Sequence, residues 1–504
     1  MKINFNYTPL NQPNNKEQIA ELFGDLFIVF FSVWTLVHQF AFFLNLSFRI
    51  SWIADFFFAL TATFLFWRKY KEDYFFKKIE LKEIWIWCLL AGILPVILSR
   101  PDADDQTYLG FSLLSLDYSN VIMVQLDAMK WPYALTIYDS IRAAFSWITK
   151  VKLLDSYYII FPSFVAIVVV IFQYRIFKLF VVNIPLAMLV FFLIMLTWGD
   201  VHRTPANFGF VRFFQGKSLV FWLSIPCMLF YWHKWVTTVN KKYFLLLGFA
   251  VISSVGFSTS GSILSFLMIL ILFTVTLFHV SFFKYPVALL SFGFFILYPL
   301  IIGLLLKLFF NFENTAGIAS AIGGARLPKP NDYFVNLEMI YFVLGNGFYF
   351  YFALLALFLL PILLMFSKKS NFNSLFAGYF LICIFLILFP FTSIWIAKYS
   401  SFSMSWRWLF IVPFVFAIVL LIDKVSVIVK KYRLFKFSVL LLLAICFYMD
   451  LDSFVISKKN RTHFSLNKLE NPTKVRIVVP PYYDHREAQI LDRNIISPST
   501  GNKF

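Results

Sequence analysis

Residues 84–105 read IWIWCLLAGILPVILSRPDADD. The run from Ile84 to Leu98 carries no charge, and a helix of that composition is stable only inside a membrane or a protein core. Pro101 must end it, because the ring excludes helix continuation and its nitrogen has no proton to donate. Three carboxylates, Asp102, Asp104 and Asp105, follow at once. Working outward, runs of the same kind recur, on the scale of the ~20 residues that cross a ~30 Å hydrocarbon core. They are Leu22–Leu46, Ile50–Trp67, Ile84–Leu98, Tyr157–Gln173, Leu179–Trp198, Ser218–Trp232 and Phe244–Phe257. Ile263–Phe283, Pro286–Leu306, Glu338–Phe366, Leu375–Ala397, Trp408–Ile422 and Phe437–Met449 complete the series. With 60% hydrophobic residues and 68 Phe, the composition lies far outside soluble averages. The expected class is all-α: a polytopic integral membrane protein of about 13 transmembrane helices.

A net charge of +18 raises the question of a nucleic-acid partner, but the distribution of the charge answers it. Lys and Arg cluster in alternate short loops: Arg68, Lys69, Lys71, Lys77, Lys78 and Lys82; Lys234, Lys241 and Lys242; Lys368 and Lys369; Lys424, Lys430, Lys431, Arg433 and Lys436. The positive-inside rule assigns those loops to the cytoplasm, the N-terminus to the inside and the C-terminus to the outside. The basic charge then sets topology, and no nucleic acid is implied. Cys88, Cys227, Cys383 and Cys446 all fall inside expected spans, with no disulfide framework and no zinc spacing. Met1–Glu21 shows no cleavable signal pattern, so the first span is read as its own insertion signal. The richness in Phe, Lys, Ile and Asn suggests a low-GC bacterial genome and hence a plasma (inner) membrane.

In that orientation the polar mass lies outside: 99–156, 199–217, 307–337, 398–407 and the tail. Residues 1–450 form one membrane domain, with 99–156 as its large outer loop, and 451–504 form a short extracytoplasmic tail. Within the loop, Ala134, Tyr138, Ile141, Phe145 and Ile148 recur at helical spacing, which predicts an interfacial helix with its apolar side in the headgroups. A shorter helix is expected over Gln106–Leu116, capped by Asp104 or Asp105. Pro95, Pro185, Pro226, Pro361 and Pro390 are expected to kink spans. Asp25 reads as a snorkelling end residue, and His38 and Asp55 as isolated polar groups at depth.

Asp102, Asp104 and Asp105 are the candidate catalytic residues. Carboxylates so close repel, which raises at least one pKa and makes it able to take a proton from an acceptor hydroxyl. The bland alternative is that one merely caps the next helix. His202, Arg203, Arg212 and Lys217 put positive charge in an outer loop against the topological bias, as does Arg407 between Trp406 and Trp408. Cations kept there can hold phosphate, Arg forking two oxygens and Lys acting as a point charge. Interfacial anchoring, with the tryptophans as an aromatic belt, is the competing account. No metal-ligand spacing, Walker loop, CxxC, HExxH or dinucleotide fingerprint occurs; no cofactor is indicated, though a divalent metal is compatible.

Spans in this number, an acidic motif opening a large outer loop with interfacial helices, and an outer tail together resemble the GT-C class of membrane glycosyltransferases. The likeness covers residues 22–450 loosely. It implies an Asp of the first large outer loop as base, a sugar donor carried on a polyprenyl phosphate, and inversion by direct attack. Many members of that class place the acids after the first span, whereas here they follow the third. The segment 202–217, with Ser405-Trp406-Arg407-Trp408 and Pro413, is also similar to uncharacterised bacterial polytopic membrane proteins. The implied partners are a polyprenyl-phosphate-linked sugar, a glycan, lipid or protein acceptor, and membrane lipids. A polymerase or ligase of undecaprenyl-diphosphate-linked polysaccharide, and a lipid or polysaccharide transporter, are the alternatives.

Overall fold

The computed structural model describes residues 17–75, 78–100, 105–117, 119–120, 135–199, 203–279, 286–309, 335–345, 347–366, 370–399 and 402–428. Asp102, Asp104, His202, most of the 307–337 loop, the expected span Phe437–Met449 and the 451–504 tail lie outside the described residues.

Apart from a two-residue parallel pairing of Glu17–Gln18 with Tyr74–Phe75, the described elements are helices. They begin with α1 (Ile19–Phe43), α2 (Phe48–Tyr70), α3 (Lys78–Leu98), α4 (Asp105–Asp117) and α5 (Tyr138–Thr149). Next come α6 (Leu153–Phe180), α7 (Ile184–Thr197), α8 (Ile225–Thr238), α9 (Lys241–Phe257), α10 (Ser260–His279) and α11 (Pro286–Phe309). The series closes with α12 (Val335–Leu344), α13 (Phe348–Phe366), α14 (Ser370–Leu388), α15 (Thr392–Tyr399), the 3₁₀ segment Phe402–Ile411 and α16 (Phe414–Ile428). Among the described residues five helical segments are long and apolar enough to cross a membrane: Glu21–Phe43, Phe48–Asp73, Leu153–Phe180, Ser260–Leu277 and Trp406–Ser426. Shorter apolar helices accompany them. The chain is a helical membrane protein, and α2 shows why. Ile53, Phe57, Leu60 and Phe64 are exposed on one side while Trp52, Ala59 and Phe66 are buried on the other, so the helix turns an apolar face outward as well as inward.

Two expected spans are each broken in two. Glu338–Phe366 divides between α12 and α13 at Gly345, whose φ of 77° only glycine adopts cheaply. Leu375–Ala397 divides between α14 and α15 at Pro390. A break leaves carbonyls without partners, and Asn336 supplies them: its Nδ2 donates to Ile387 O (3.1 Å) and Phe389 O, while its Oδ1 accepts from Ser393 N (3.2 Å). Pro185 stands in the first turn of α7, where a missing N–H costs nothing, so it starts a helix and does not kink one, whereas Pro226 follows directly on the π-helical turn Val220–Ser224 and lies inside a continuous helical run. Pro95 and Pro361 do lie inside helices.

α1 is the central strut, packed against α2, α6 and α9; α3 lies on α6, α10 on α11 and α14, and α16 on α7 and α13. Asp25 does not snorkel. It is fully buried and accepts from Arg175 Nη1 (2.5 Å), Tyr231 Oη (2.6 Å) and Tyr74 Oη (2.5 Å), tying α1 to α6, α8 and the end of α2. Lys242 sits 3.5 Å from Asp73 beside it. Asp423 closes the same end by accepting from Val182 N (3.0 Å) and Asn183 N (3.0 Å). Nearer the other end, His38 and Asp55 pair at 3.2 Å with Ser51 donating to the same carboxylate (3.0 Å), pinning α2 to α1.

Candidate functional site

The segment 203–217 folds as consecutive turns, not as a solvated loop. Thr204 Oγ1 donates to Trp198 O (2.8 Å) and accepts from Asn207 N (3.2 Å), and Asn207 Nδ2 donates to Gly199 O (2.6 Å). Gly209 N, Arg212 N and Gln215 N then reach back to Ala206 O, Gly209 O and Arg212 O at 2.9, 2.9 and 2.8 Å. Residues 204–225 are buried throughout. Gly216 is required: a Cβ there would meet Phe257 O at 1.8 Å. Arg203 itself holds φ at 75°, a left-handed conformation that costs a non-glycine residue energy and so marks a position over-determined by its surroundings.

Four of the candidate cations are laid against a run of aromatic rings. Arg212 Cζ lies 5.4 Å from the Phe208 ring and Lys217 Nζ lies 5.5 Å from the same ring. Phe208 contacts Trp406 (centroids 6.1 Å apart), Trp406 contacts Phe342 (6.5 Å), and Arg203 Cζ covers Phe342 at 4.0 Å. Arg407 lies over Trp406 at 5.6 Å, and its Nη1 donates to Ser260 Oγ (2.5 Å) at the start of α10. There it lines a recess of about 220 Å³ with Ile263, Leu264, Ile396 and Trp408. Arg212 and Lys217 therefore share one ring, Arg203 joins them through two more, and Arg407 meets the same run at Trp406. Arg212 and Lys217 are only 6% and 4% exposed, so neither acts as a headgroup anchor reaching out into the interface. The tryptophans do not form a belt either: Trp406 and Trp408 are buried, with Trp408 Nε1 donating to Ser393 Oγ (3.0 Å).

The acidic motif reaches this segment from both of its flanks. Arg100 N donates to Val211 O (3.3 Å), next to Arg212. Asp105 opens α4, and Tyr108, one turn on, lies 5.8 Å from Lys217 Nζ. The expected helix over 106–116 is thus present, with its first turn beside Lys217.

The expected interfacial helix also forms, as α5, but it is wedged inside the protein. Asp139, Ser140 and Arg142, which the periodicity placed on its polar side, are buried. Trp52 Nε1 donates to Ser140 Oγ (2.8 Å), Ile137 N to Gly256 O (2.6 Å), and Ser112 Oγ to Asp139 O (3.0 Å). Arg142 forms an ion pair with Asp139 and donates to Phe214 O (2.6 Å). Burial pushes the Asp139 carboxyl up to about 6 while the Arg142 guanidinium beside it pulls the other way. Sequence reasoning missed this pair. The available signal was an Asp and an Arg three apart on one short helix, a spacing that brings them together.

Two π-helical turns, Ser156–Ile160 and Val220–Ser224, flank the site, as such turns often do near functional groups. A small apolar recess adjoins it, lined by Phe221, Trp222, Phe410, Pro413 and Phe414 among others; Phe410 also packs on Phe208 at 5.1 Å. Among the described residues, no group of three or more His, Cys, Asp or Glu comes together to hold a metal ion. The chain matches no protein-family model, no curated protein and no solved structure.

Proposed function

We propose that the chain is a GT-C-type integral membrane glycosyltransferase that moves a sugar from a polyprenyl-phosphate donor to a glycan, lipid or protein acceptor. In this reading it has thirteen spans in a bacterial plasma membrane, N-terminus in and C-terminus out, with the Arg212 end facing outward. One observation carries the proposal: both flanks of the acidic motif dock on the segment that holds Arg212 and Lys217, through Arg100 to Val211 and through Tyr108 to Lys217. The base would then sit beside the cations that receive the leaving group. Asp104 or Asp105, supported by Asp102, takes the proton of an acceptor hydroxyl. The oxygen attacks the anomeric carbon as its bond to phosphate breaks. Arg203, Arg212 and Arg407, with Lys217 and His202, stabilise the charge that builds on the phosphate. The apolar recess beside Phe410 suits the first part of an isoprenoid chain.

The gathering of several cations around one aromatic run also suits a diphosphate, which favours a polymerase or ligase of undecaprenyl-diphosphate glycans as the second reading.

Reconstituted protein supplied with a polyprenyl-phosphoryl sugar should release polyprenyl phosphate, and Asp104→Asn or Asp105→Asn should slow that release by about 10²–10⁴-fold with abundance unchanged. Full rate in the double Asn variant would remove the carboxylates from the mechanism and leave helix capping as their role. For orientation, a cysteine at position 499 should react from outside intact cells and one at position 370 only after permeabilisation.

A further inference from the structure

The Asp139–Arg142 pair takes no part in the chemistry above, yet it is a buried ion pair bonded to the backbone of the site. The Arg142 guanidinium is fully buried and lies over two phenol rings, 4.3 Å from Tyr138 and 3.8 Å from Tyr157. Its Nε donates to Tyr138 O (3.1 Å), its Nη2 to Asp139, and its Nη1 to the carbonyl of Phe214 (2.6 Å). Tyr138 Oη donates to the preceding carbonyl, that of Phe213 (2.7 Å). The Phe214 ring is itself held by Tyr157 and Tyr158, at 5.6 and 5.1 Å. Two residues on, Gly216 abuts the Phe257 carbonyl with no room for a Cβ.

These contacts fall in the interval between Arg212 and Lys217. Pinning successive carbonyls fixes successive peptide planes, and with them the torsions of the residue between. We infer that Arg142 and Tyr138, backed by Asp139, are positioning residues that hold the 213–216 backbone so that Arg212 and Lys217 both lie over Phe208. The carboxylate keeps Arg142 charged and aimed; the guanidinium and the phenol hold the chain. Their importance to function rests on the anion-site reading, whereas their effect on Lys217 does not.

The test separates the two. Purified protein is acylated with an amine reagent, and labelling at Lys217 and at Lys242 is read by mass spectrometry. Lys242 is also buried but lies at the Asp25 end, beside Tyr74 and Asp73. Tyr138→Phe, which deletes one hydroxyl, and Arg142→Lys, which keeps the charge but loses the fork, should each raise Lys217 labelling about fivefold or more, the scale of one lost buried hydrogen bond, and leave Lys242 protected. A rise at both lysines would mean general loosening and overturn the positioning role, as would no rise at either. If Arg142→Lys does not fold, Tyr138→Phe decides alone. Calorimetric titration with farnesyl phosphate then addresses the reading. Weaker binding in the variants than in wild type supports both ideas. Wild type that fails to bind, with Lys217 still released by the variants, leaves the clamp standing and overturns the anion site.

Discussion

The two ends of the helical bundle set buried charge against different neighbours. At the Asp25 end Arg175 meets a carboxylate whose oxygens also accept from Tyr74 and Tyr231, and Lys242 and Lys178 stand beside Asp73 and Glu21. Charge there is neutralised and the acceptor positions are filled, so the cluster holds helices together. At the Arg212 end the cations lie over Phe208, Phe342 and Trp406. A ring face attracts a cation through its quadrupole while carrying no net charge, so these contacts differ in kind from the carboxylate contacts of the Asp25 end. The first arrangement suits a seal, and the second is where the proposed function places the donor phosphate.

If that contrast is right, substitutions at the two ends should separate stability from binding. The largest effect belongs to Asp25→Asn, which strands Arg175 in the core; a loss of about 3–5 kcal/mol is expected, seen as a large fall in thermal midpoint and membrane abundance. A variant that kept its midpoint and instead lost transfer activity would erase the distinction. Gly216→Ala forces a methyl onto the Phe257 carbonyl and should cost about 1–3 kcal/mol, with farnesyl phosphate affinity falling as the segment shifts. Unchanged affinity in the folded fraction would show that the 213–216 backbone does not set the site.

Arg212→Gln should behave differently, lowering farnesyl phosphate affinity by about 10–100-fold, the scale of charged hydrogen bonds, with a smaller fall in the thermal midpoint than Asp25→Asn. A midpoint drop as deep as that of Asp25→Asn, with affinity intact, would make Arg212 a structural cation like Arg175. The smallest change is expected from Asp423→Ala, which removes the acceptor for Val182 N and Asn183 N. It should cost about 0.5–2 kcal/mol, as loss of a capping side chain does, and leave affinity untouched.

Much of the helix pattern was readable because hydropathy is additive along the chain. Runs such as Leu22–Leu46 and Pro286–Leu306 need no partner to declare themselves. The breaks at Gly345 and Pro390 carried local signals, but a run averaged over some twenty residues smooths across them. At the candidate site the residue types were legible: cations against the topological bias in 202–217 and at Arg407, and acids after Pro101. Their burial was not. Arg212 and Lys217 read as exposed loop residues because polar segments between spans usually are, and only the turns from Thr204 to Ser218 enclose them. α5 was placed at the interface because its periodicity shows an apolar face, while nothing in a periodicity reports a second wall of protein against the polar one.

The amino-acid sequence alone determined that this is a helical membrane protein, where its apolar segments lie, and that acids and cations gather in its polar connections. Each of these is a property of single residues or short runs, set by transfer free energy and backbone chemistry. Pairings over long separations were decided only by tertiary structure: Asp25 with Arg175, Arg142 with Phe214, Arg203 with Phe342, Arg100 with Val211. The energy of such a contact exists only once two distant segments are buried together. That burial turns an aspartate that reads as snorkelling into a tie between helices, and an arginine that reads as a loop residue into part of the core.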